Sequence, residues 1–184
     1  MLTARENAAN TDLIVAEDIA GDTSDKQVSD DDLQLSPDET DKDILQEQEK
    51  DFESETFSVK EDAEKKGDKP VIRLFSTTWC PHCIWIIETF DRVALEYVND
   101  GKIMAYHWEL DTGDNTLTPE KENEVPASER AVFEEFNSRK SIPTYVFGEK
   151  YYRVGNGYER EDDLGAEEAE FRAVIENLIE EYGN

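Results

Sequence analysis

The sequence predicts an α/β domain in which helices flank a mixed β-sheet, and three patterns lead to this prediction. A short apolar run at 71–75, with two β-branched residues, is typical of a strand buried on both faces of a sheet. A long helical repeat of apolar residues at 84–98 follows it and leads into another strand-like run. A C-terminal segment at 171–182 has one apolar helical face. With the shorter elements between them, these patterns indicate the order β-α-β-α-β-β-α.

The first three elements follow from spacing and stop signals. Apolar residues recur at helical spacing from Ile84 and Ile87 to Val98, and Asn99-Asp100-Gly101 supplies a helix stop in which Gly can take the left-handed conformation. The run from Ile103 to Leu110 is typical of a second strand. A strand-helix-strand unit of this length is normally right-handed, with parallel strands.

The remaining elements are shorter. The polar stretch 111–124 predicts an exposed loop, and a short helix is expected to begin near Ser128. Two strands, 144–147 and 151–154, flank Gly148-Glu149-Lys150, which favours an antiparallel hairpin. In the last helix, acidic residues cluster near the start, as the helix dipole prefers.

Charge and composition divide the chain near residue 68. Residues 1–70 carry 22 acidic and 8 basic side chains but only two of the 18 aromatic residues. We therefore expect residues 1–67 to be an acidic, largely disordered tail or linker, and residues 68–184 to form the folded domain. Within the tail, Ser36-Pro37-Asp38-Glu39 has the capping pattern of a helix start.

The overall charge also limits the classes of partner. The 184 residues carry a formal net charge of −27, which argues against nucleic acid as a ligand. Unbroken apolar runs last only a few residues, far short of the roughly 20 that span a bilayer. We expect a soluble chain and a monomer.

The chemistry of the sequence is concentrated at Trp79-Cys80-Pro81-His82-Cys83, where the first strand leads into the long helix. Free N–H groups at a helix N-terminus stabilise a thiolate on Cys80, so we expect Cys80 to be the attacking sulfur. Cys83, one turn further, is placed to resolve a mixed disulfide. A positive charge on His82 favours the reduced pair, and a stabilised reduced form is a stronger oxidant.

The residues of this motif also have other interpretations. A structural zinc site normally needs four ligands. The chain has no Cys besides Cys80 and Cys83, and its one His besides His82 is His107. Redox-inert core cysteines are disfavoured by the position at a strand-helix junction. His82 can also be a merely exposed helix residue, and Trp79 either shields the thiols or packs in the domain. We expect no metal and no cofactor.

The motif, followed downstream by Ile142-Pro143-Thr144 at the start of a strand, resembles the thioredoxin-like superfamily over about residues 69–182. The resemblance implies a thioredoxin fold, a cis bond before Pro143, and substrate contacts from Trp79, Ile142 and Pro143. The central dipeptide Pro81-His82 is similar to that of DsbA-type oxidases, which implies that both residues tune the redox potential. Ile142-Pro143-Thr144 is closer to thioredoxin itself.

Two features depart from the family pattern. Thioredoxins commonly have a buried acid six residues before the first cysteine, where this chain has Leu74. The loop 111–124 is also longer than in a minimal thioredoxin. Its acidic residues do not match an EF-hand, so a solvated loop is expected in place of a calcium site.

These observations predict a protein thiol–disulfide oxidoreductase with Cys80 and Cys83 as catalytic residues. Oxidation or isomerisation is slightly favoured, a thioredoxin-like reductase is the alternative, and a redox-inert binding module is a third hypothesis. The expected partners are protein thiols or disulfides and a separate redox partner, with a membrane tether outside this chain. We expect an extracytoplasmic location whose signal is absent from the sequence, or alternatively a cytoplasmic one.

Overall fold

The structure is a computed structural model, and it describes residues 52–183. This part of the chain is an α/β domain with a five-stranded sheet in the order β1-β5-β4-β2-β3 and three helices. The strands are β1 (Ser58–Val59), β2 (Val71–Ser76), β3 (Met104–Glu109), β4 (Thr144–Phe147) and β5 (Tyr151–Val154). The helices are α1 (Pro81–Asn99), α2 (Ala127–Phe136) and α3 (Leu164–Gly183), and a 3-10 turn lies at Glu159–Glu161. No helix within these residues is long and apolar enough to cross a membrane.

The sheet is mixed, as predicted. β2 pairs in parallel with β3, from Val71 opposite Met104 to Ser76 opposite Glu109. β4 pairs antiparallel with both β2 and β5. The predicted β-α-β-α-β-β-α order is confirmed for residues 71–183, with the 3-10 turn as an addition before α3.

Helices cover both faces of the sheet, because the interior strand β2 has buried side chains on each side. Ile72 and Leu74 point into the larger core, together with Phe90 of α1 and Phe171 of α3. Phe75 points to the opposite face, into a smaller core formed with residues of α2. Cys80 follows this strand after the turn 77–79.

The buried face of α1 agrees with the predicted one from Phe90 onward and differs from it in the first two turns. The sequence pattern placed Ile84 and Ile87 on that face, whereas Ile84 is 60% exposed and Ile87 is partly exposed. The fully buried positions include Cys83, Ile86 and Val93. Cys83, Ile86 and Val93 also follow helical spacing, so the sequence contains two adjacent apolar stripes. The helix buries the stripe that contains Cys83.

The domain begins before residue 68, so the predicted boundary is wrong for the segment 52–67. Two residues of this segment form β1, which pairs antiparallel with β5, and Phe57 is buried among the aromatic rings of the larger core. A single buried aromatic in an acidic stretch gives no periodic signal, which explains the error. The rest of the predicted tail and the helix start at Ser36 lie outside the described residues.

A buried guanidinium connects this early segment to the rest of the domain. Arg153 of β5 donates to Glu167 and, at 3.2 Å, to Glu170, both in α3. It also donates to Thr56 Oγ1 at 2.5 Å and to the carbonyl oxygen of Gly155 at 3.1 Å. Burial lowers the pKa of Arg153, and the neighbouring Tyr145 and Glu170 oppose that effect. The charge is therefore compensated by two carboxylates inside the domain.

We predict that Phe57→Ala lowers the free energy of unfolding by about 3–5 kcal/mol, because it leaves a cavity among buried aromatic rings. Urea denaturation followed by circular dichroism measures the change. Val59→Ala is the matched control in the same segment; Val59 is exposed, so the loss should stay below about 1 kcal/mol. Equal losses in the two variants would contradict the packing of Phe57.

We predict that Arg153→Met destabilises the domain by about 3–5 kcal/mol, because Glu167 and Glu170 remain buried without their counter-charge. The control is Arg92→Met, which removes an exposed ion pair with Glu168 and should cost no more than about 1 kcal/mol. The same urea titration compares both variants with the unsubstituted protein. A loss of less than about 1 kcal/mol in Arg153→Met would contradict the proposed role of the cluster.

Candidate functional site

The two cysteines lie at the N-terminus of α1, immediately after β2. Cys80 is the N-cap residue, and its carbonyl oxygen accepts the first backbone hydrogen bond of the helix, from the N–H of Ile84 at 3.0 Å. No side chain caps this terminus, and the first turn contains no acidic residue. The N–H groups of His82 and Cys83 therefore face the end of the helix where Cys80 lies, and they favour a negative charge there.

Both cysteines are free thiols, but their surroundings differ. Cys80 is 4% exposed and Cys83 is fully buried against the sheet. Burial is the main cause that raises the pKa of the Cys83 thiol to about 12. The backbone N–H of Thr77 lowers this pKa, whereas the neighbouring Cys80 and the charge of Asp111 raise it further. Cys83 is therefore held as a neutral thiol, as a buried resolving group would be in the reduced protein.

The turn before Cys80 is held by Asp111, which follows β3. The Asp111 carboxylate accepts hydrogen bonds from the backbone N–H of Thr78 at 3.2 Å and from its hydroxyl at 2.5 Å. Burial acts to raise the pKa of Asp111, but the hydrogen bonds from Thr78 outweigh it and lower the pKa. An ionised carboxylate from the adjacent parallel strand thus positions the turn that carries the thiols.

His82 does not stand free beside the thiols. Its Nδ1 lies 2.7 Å from Oε1 of Glu159, in the 3-10 turn between β5 and α3. Because an ionised carboxylate only accepts hydrogen bonds, Nδ1 is the donor. Any positive charge on the His82 ring therefore lies beside the Glu159 carboxylate, although the imidazole itself remains largely exposed.

Asn156 joins this loop to the first turn of α1. Its side-chain amide donates to the carbonyl oxygen of His82 at 2.9 Å and to Oε2 of Glu159 at 2.8 Å. Its own Oδ1 accepts the hydroxyl of Tyr145 at 2.6 Å, and burial raises the pKa of Tyr145, so that hydroxyl stays a donor. A second contact from the loop is the hydrogen bond from the Trp85 indole to Asp162, at 2.8 Å.

A cleft of about 400 Å³ lies beside the first turn of α1, where His82 lines it. His82, Pro143 and Glu159 line it, and the peptide bond between Ile142 and Pro143 is cis. The structure thus brings Ile142 and Pro143, which are distant in sequence, next to the first turn of α1. Asn156 and Arg160 of the β5–α3 loop complete the lining.

Two large apolar side chains near the thiols face solvent. Trp79, directly before Cys80, is 69% exposed, and Ile84, directly after Cys83, is also exposed. Of the two interpretations of Trp79, packing in the domain does not occur.

Leu74 is fully buried in the larger core, so the position six residues before Cys80 carries no ionisable group. His107, which pairs with Leu74 across the sheet, has its Nε2 2.7 Å from the Ser76 hydroxyl and its Nδ1 2.7 Å from Asp91. Within residues 52–183, no group of His, Cys, Asp or Glu side chains is arranged to hold a metal ion.

Asn156, Glu159 and Asp111 are parts of the site that the sequence patterns do not predict. Glu159 lies in the charged run Glu159-Arg160-Glu161-Asp162-Asp163, in which no position stands out from its neighbours. Asp111 was assigned to an exposed polar loop, and its contact with Thr78 arises because two parallel strands end side by side. Contacts of this kind depend on the tertiary fold.

We predict that Cys80 and Cys83 differ in alkylation rate. At pH 8, the single-cysteine variant Cys83→Ser, which keeps Cys80, should react with iodoacetamide at least about 100-fold faster than Cys80→Ser, which keeps Cys83. A thiol with a pKa of about 12 is almost entirely protonated at this pH. The rate of Cys80→Ser should also rise about tenfold per pH unit between pH 8 and 10.

Mass spectrometry of timed samples measures both rates. In concentrated urea, where burial is lost, the two variants should react at similar rates. Similar rates in the folded proteins at pH 8 would contradict the asymmetry between the two thiols.

The comparison with known proteins adds no family assignment. No protein-family model matches this chain, and no curated protein matches it. The functional conclusion therefore depends on the geometry of the site.

Proposed function

We propose that the protein is a thiol–disulfide oxidoreductase that exchanges disulfides with protein substrates through Cys80 and Cys83. The observation that carries this proposal is the placement of the pair. Cys80 lies at the uncapped N-terminus of α1, where a thiolate is favoured, and Cys83 lies buried one turn inside the helix. The two thiols of such a pair can close into a small disulfide ring and open again.

The surroundings of the pair support the same proposal. The cleft beside His82 is lined by Ile142 and Pro143, whose peptide bond is cis, and the exposed side chains of Trp79 and Ile84 offer an apolar contact to a protein substrate. The order of the elements and the mixed sheet agree with the thioredoxin fold that the sequence resembles. We include that fold in the proposal.

The reaction in the oxidising direction has two exchange steps. A substrate thiolate attacks Sγ of Cys80 in the Cys80–Cys83 disulfide; the bond between the two cysteines breaks, a mixed disulfide forms, and Cys83 takes up a proton. A second substrate thiolate then attacks the substrate sulfur of the mixed disulfide, and Cys80 leaves as a thiolate. Two electrons pass from the substrate to the protein. Reduction of a substrate disulfide is the reverse sequence, in which Cys83 loses its proton to release Cys80.

Oxidation or isomerisation is the favoured direction because Pro81-His82 resembles the dipeptide of DsbA-type oxidases. Reduction is the second candidate, and one contact favours it. Glu159 pairs with His82 and so offsets the charge that would stabilise the reduced pair. Ile142-Pro143-Thr144, which resembles thioredoxin itself, also favours reduction. An extracytoplasmic location and a separate redox partner belong to the oxidising form of the proposal.

A glutathione redox titration of the Cys80/Cys83 pair tests the proposal, with tryptophan fluorescence as the readout and acid-trapped alkylation as the confirmation. Trp79 adjoins Cys80, so its fluorescence is expected to change when the disulfide closes. A midpoint near about −120 mV would support oxidation or isomerisation, and one near about −270 mV would support reduction. Cys80→Ser and Cys83→Ser should each abolish the reversible transition.

Two results would contradict the proposal. One is the absence of an intramolecular disulfide in any glutathione buffer. The other is full retention of biological activity after both cysteines are replaced by serine, which would indicate a binding module with an incidental pair.

A further inference from the structure

We propose that Glu159 is a positioning residue that limits the oxidising power of the cysteine pair by holding a carboxylate against the ring of His82. This inference rests on the proposed function and adds the residue that tunes it. The contact is a direct one, because Oε1 of Glu159 lies 2.7 Å from Nδ1 of His82. His82 lies between the two cysteines, so any charge on its ring acts on the thiolate of Cys80.

Glu159 lowers the oxidising power of the pair whether or not the His82 ring is protonated. A protonated His82 alone would place one positive charge beside the thiolate and stabilise the reduced pair. With Glu159 present, the imidazole and carboxylate together carry no net charge when the ring is protonated and one negative charge when it is neutral. In both cases Glu159 makes the field at Cys80 more negative, so the reduced pair is less stable and the protein a weaker oxidant.

The carboxylate is held in place by the loop that carries it. Asn156 donates to Oε2 of Glu159 at 2.8 Å and anchors the same loop to the carbonyl oxygen of His82 at 2.9 Å. Deeper in the domain, the buried carboxylate of Glu167 accepts the backbone N–H groups of Gly157 and Tyr158, both at 2.9 Å. Glu159 is therefore presented to His82 by a loop that is fixed at both ends.

Other charges near the pair do not replace this contact. Arg160 lines the same cleft. Asp111 acts on Cys83 and accepts a hydrogen bond from the backbone N–H of Thr78. Among the charged side chains of residues 52–183, only Glu159 forms an ion pair with His82.

The test is the glutathione equilibrium of Glu159→Gln, compared with the unsubstituted protein. Glutamine keeps a side chain of similar shape but removes the negative charge. At a fixed glutathione buffer near pH 7, the ratio of reduced to oxidised protein should rise about two- to fivefold, a modest change because the site is open to solvent. Glu159→Lys should shift the ratio further in the same direction.

Glu161→Gln is the matched control. Glu161 lies in the same 3-10 turn and is exposed, and its substitution removes the same charge without touching the pair with His82. Its ratio of reduced to oxidised protein should stay within about 1.5-fold of the unsubstituted protein. A second readout is salt: in about 1 M NaCl the difference between Glu159→Gln and the unsubstituted protein should shrink, because the interaction is electrostatic.

The outcomes separate this inference from the proposed function. If the unsubstituted protein forms no disulfide in the titration, the proposed function fails. If it does form one, but Glu159→Gln leaves the ratio unchanged, lowers it, or matches Glu161→Gln, then the tuning role of Glu159 is wrong and the proposed function stands. A difference that persists undiminished in high salt also overturns the electrostatic explanation.

Discussion

The buried charge of Arg153 constrains much of this domain. A guanidinium inside a protein is tolerated only when carboxylates and hydrogen-bond acceptors surround it, and the partners of Arg153 come from three separate parts of the chain. Thr56 belongs to the early segment, Gly155 to the loop after β5, and Glu167 and Glu170 to α3. The rings of Phe57, Tyr145 and Phe171 surround the same group. One charge therefore requires these parts to pack together.

The loop between β5 and α3 connects the partners of Arg153 to the cysteine pair. Glu167, which pairs with Arg153, also accepts the N–H groups of Gly157 and Tyr158, and the same loop carries Asn156 and Glu159 to His82. His82, in the middle of the Cys80-Pro81-His82-Cys83 motif, is thus in contact with Glu159, which lies 77 residues later in the sequence. The electrostatic surroundings of the thiols are set partly by this loop and partly by the helix N-terminus.

Local patterns predicted much of the framework. The hairpin strands 144–147 and 151–154 have the predicted bounds, because a short Gly-containing turn between two apolar runs is a local signal. The position of Cys80 and Cys83 at a strand-helix junction was also predictable from apolar runs on both sides. The same reasoning failed for Phe57, a lone aromatic in an acidic stretch, and for Ile84, which lies one position from the true buried face of α1. Each failure concerns a choice that only long-range packing makes.

The sequence by itself determined the α/β class, the order of the elements and the presence of two thiols at the start of a helix, because these depend on neighbouring residues and on periodicity. The tertiary structure alone decided that Glu159 faces His82, that Asp111 holds Thr78, and that Trp79 is exposed. The reason is physical. A charge acts on whatever lies within a few ångströms of it, and distance along the chain does not determine which residues those are.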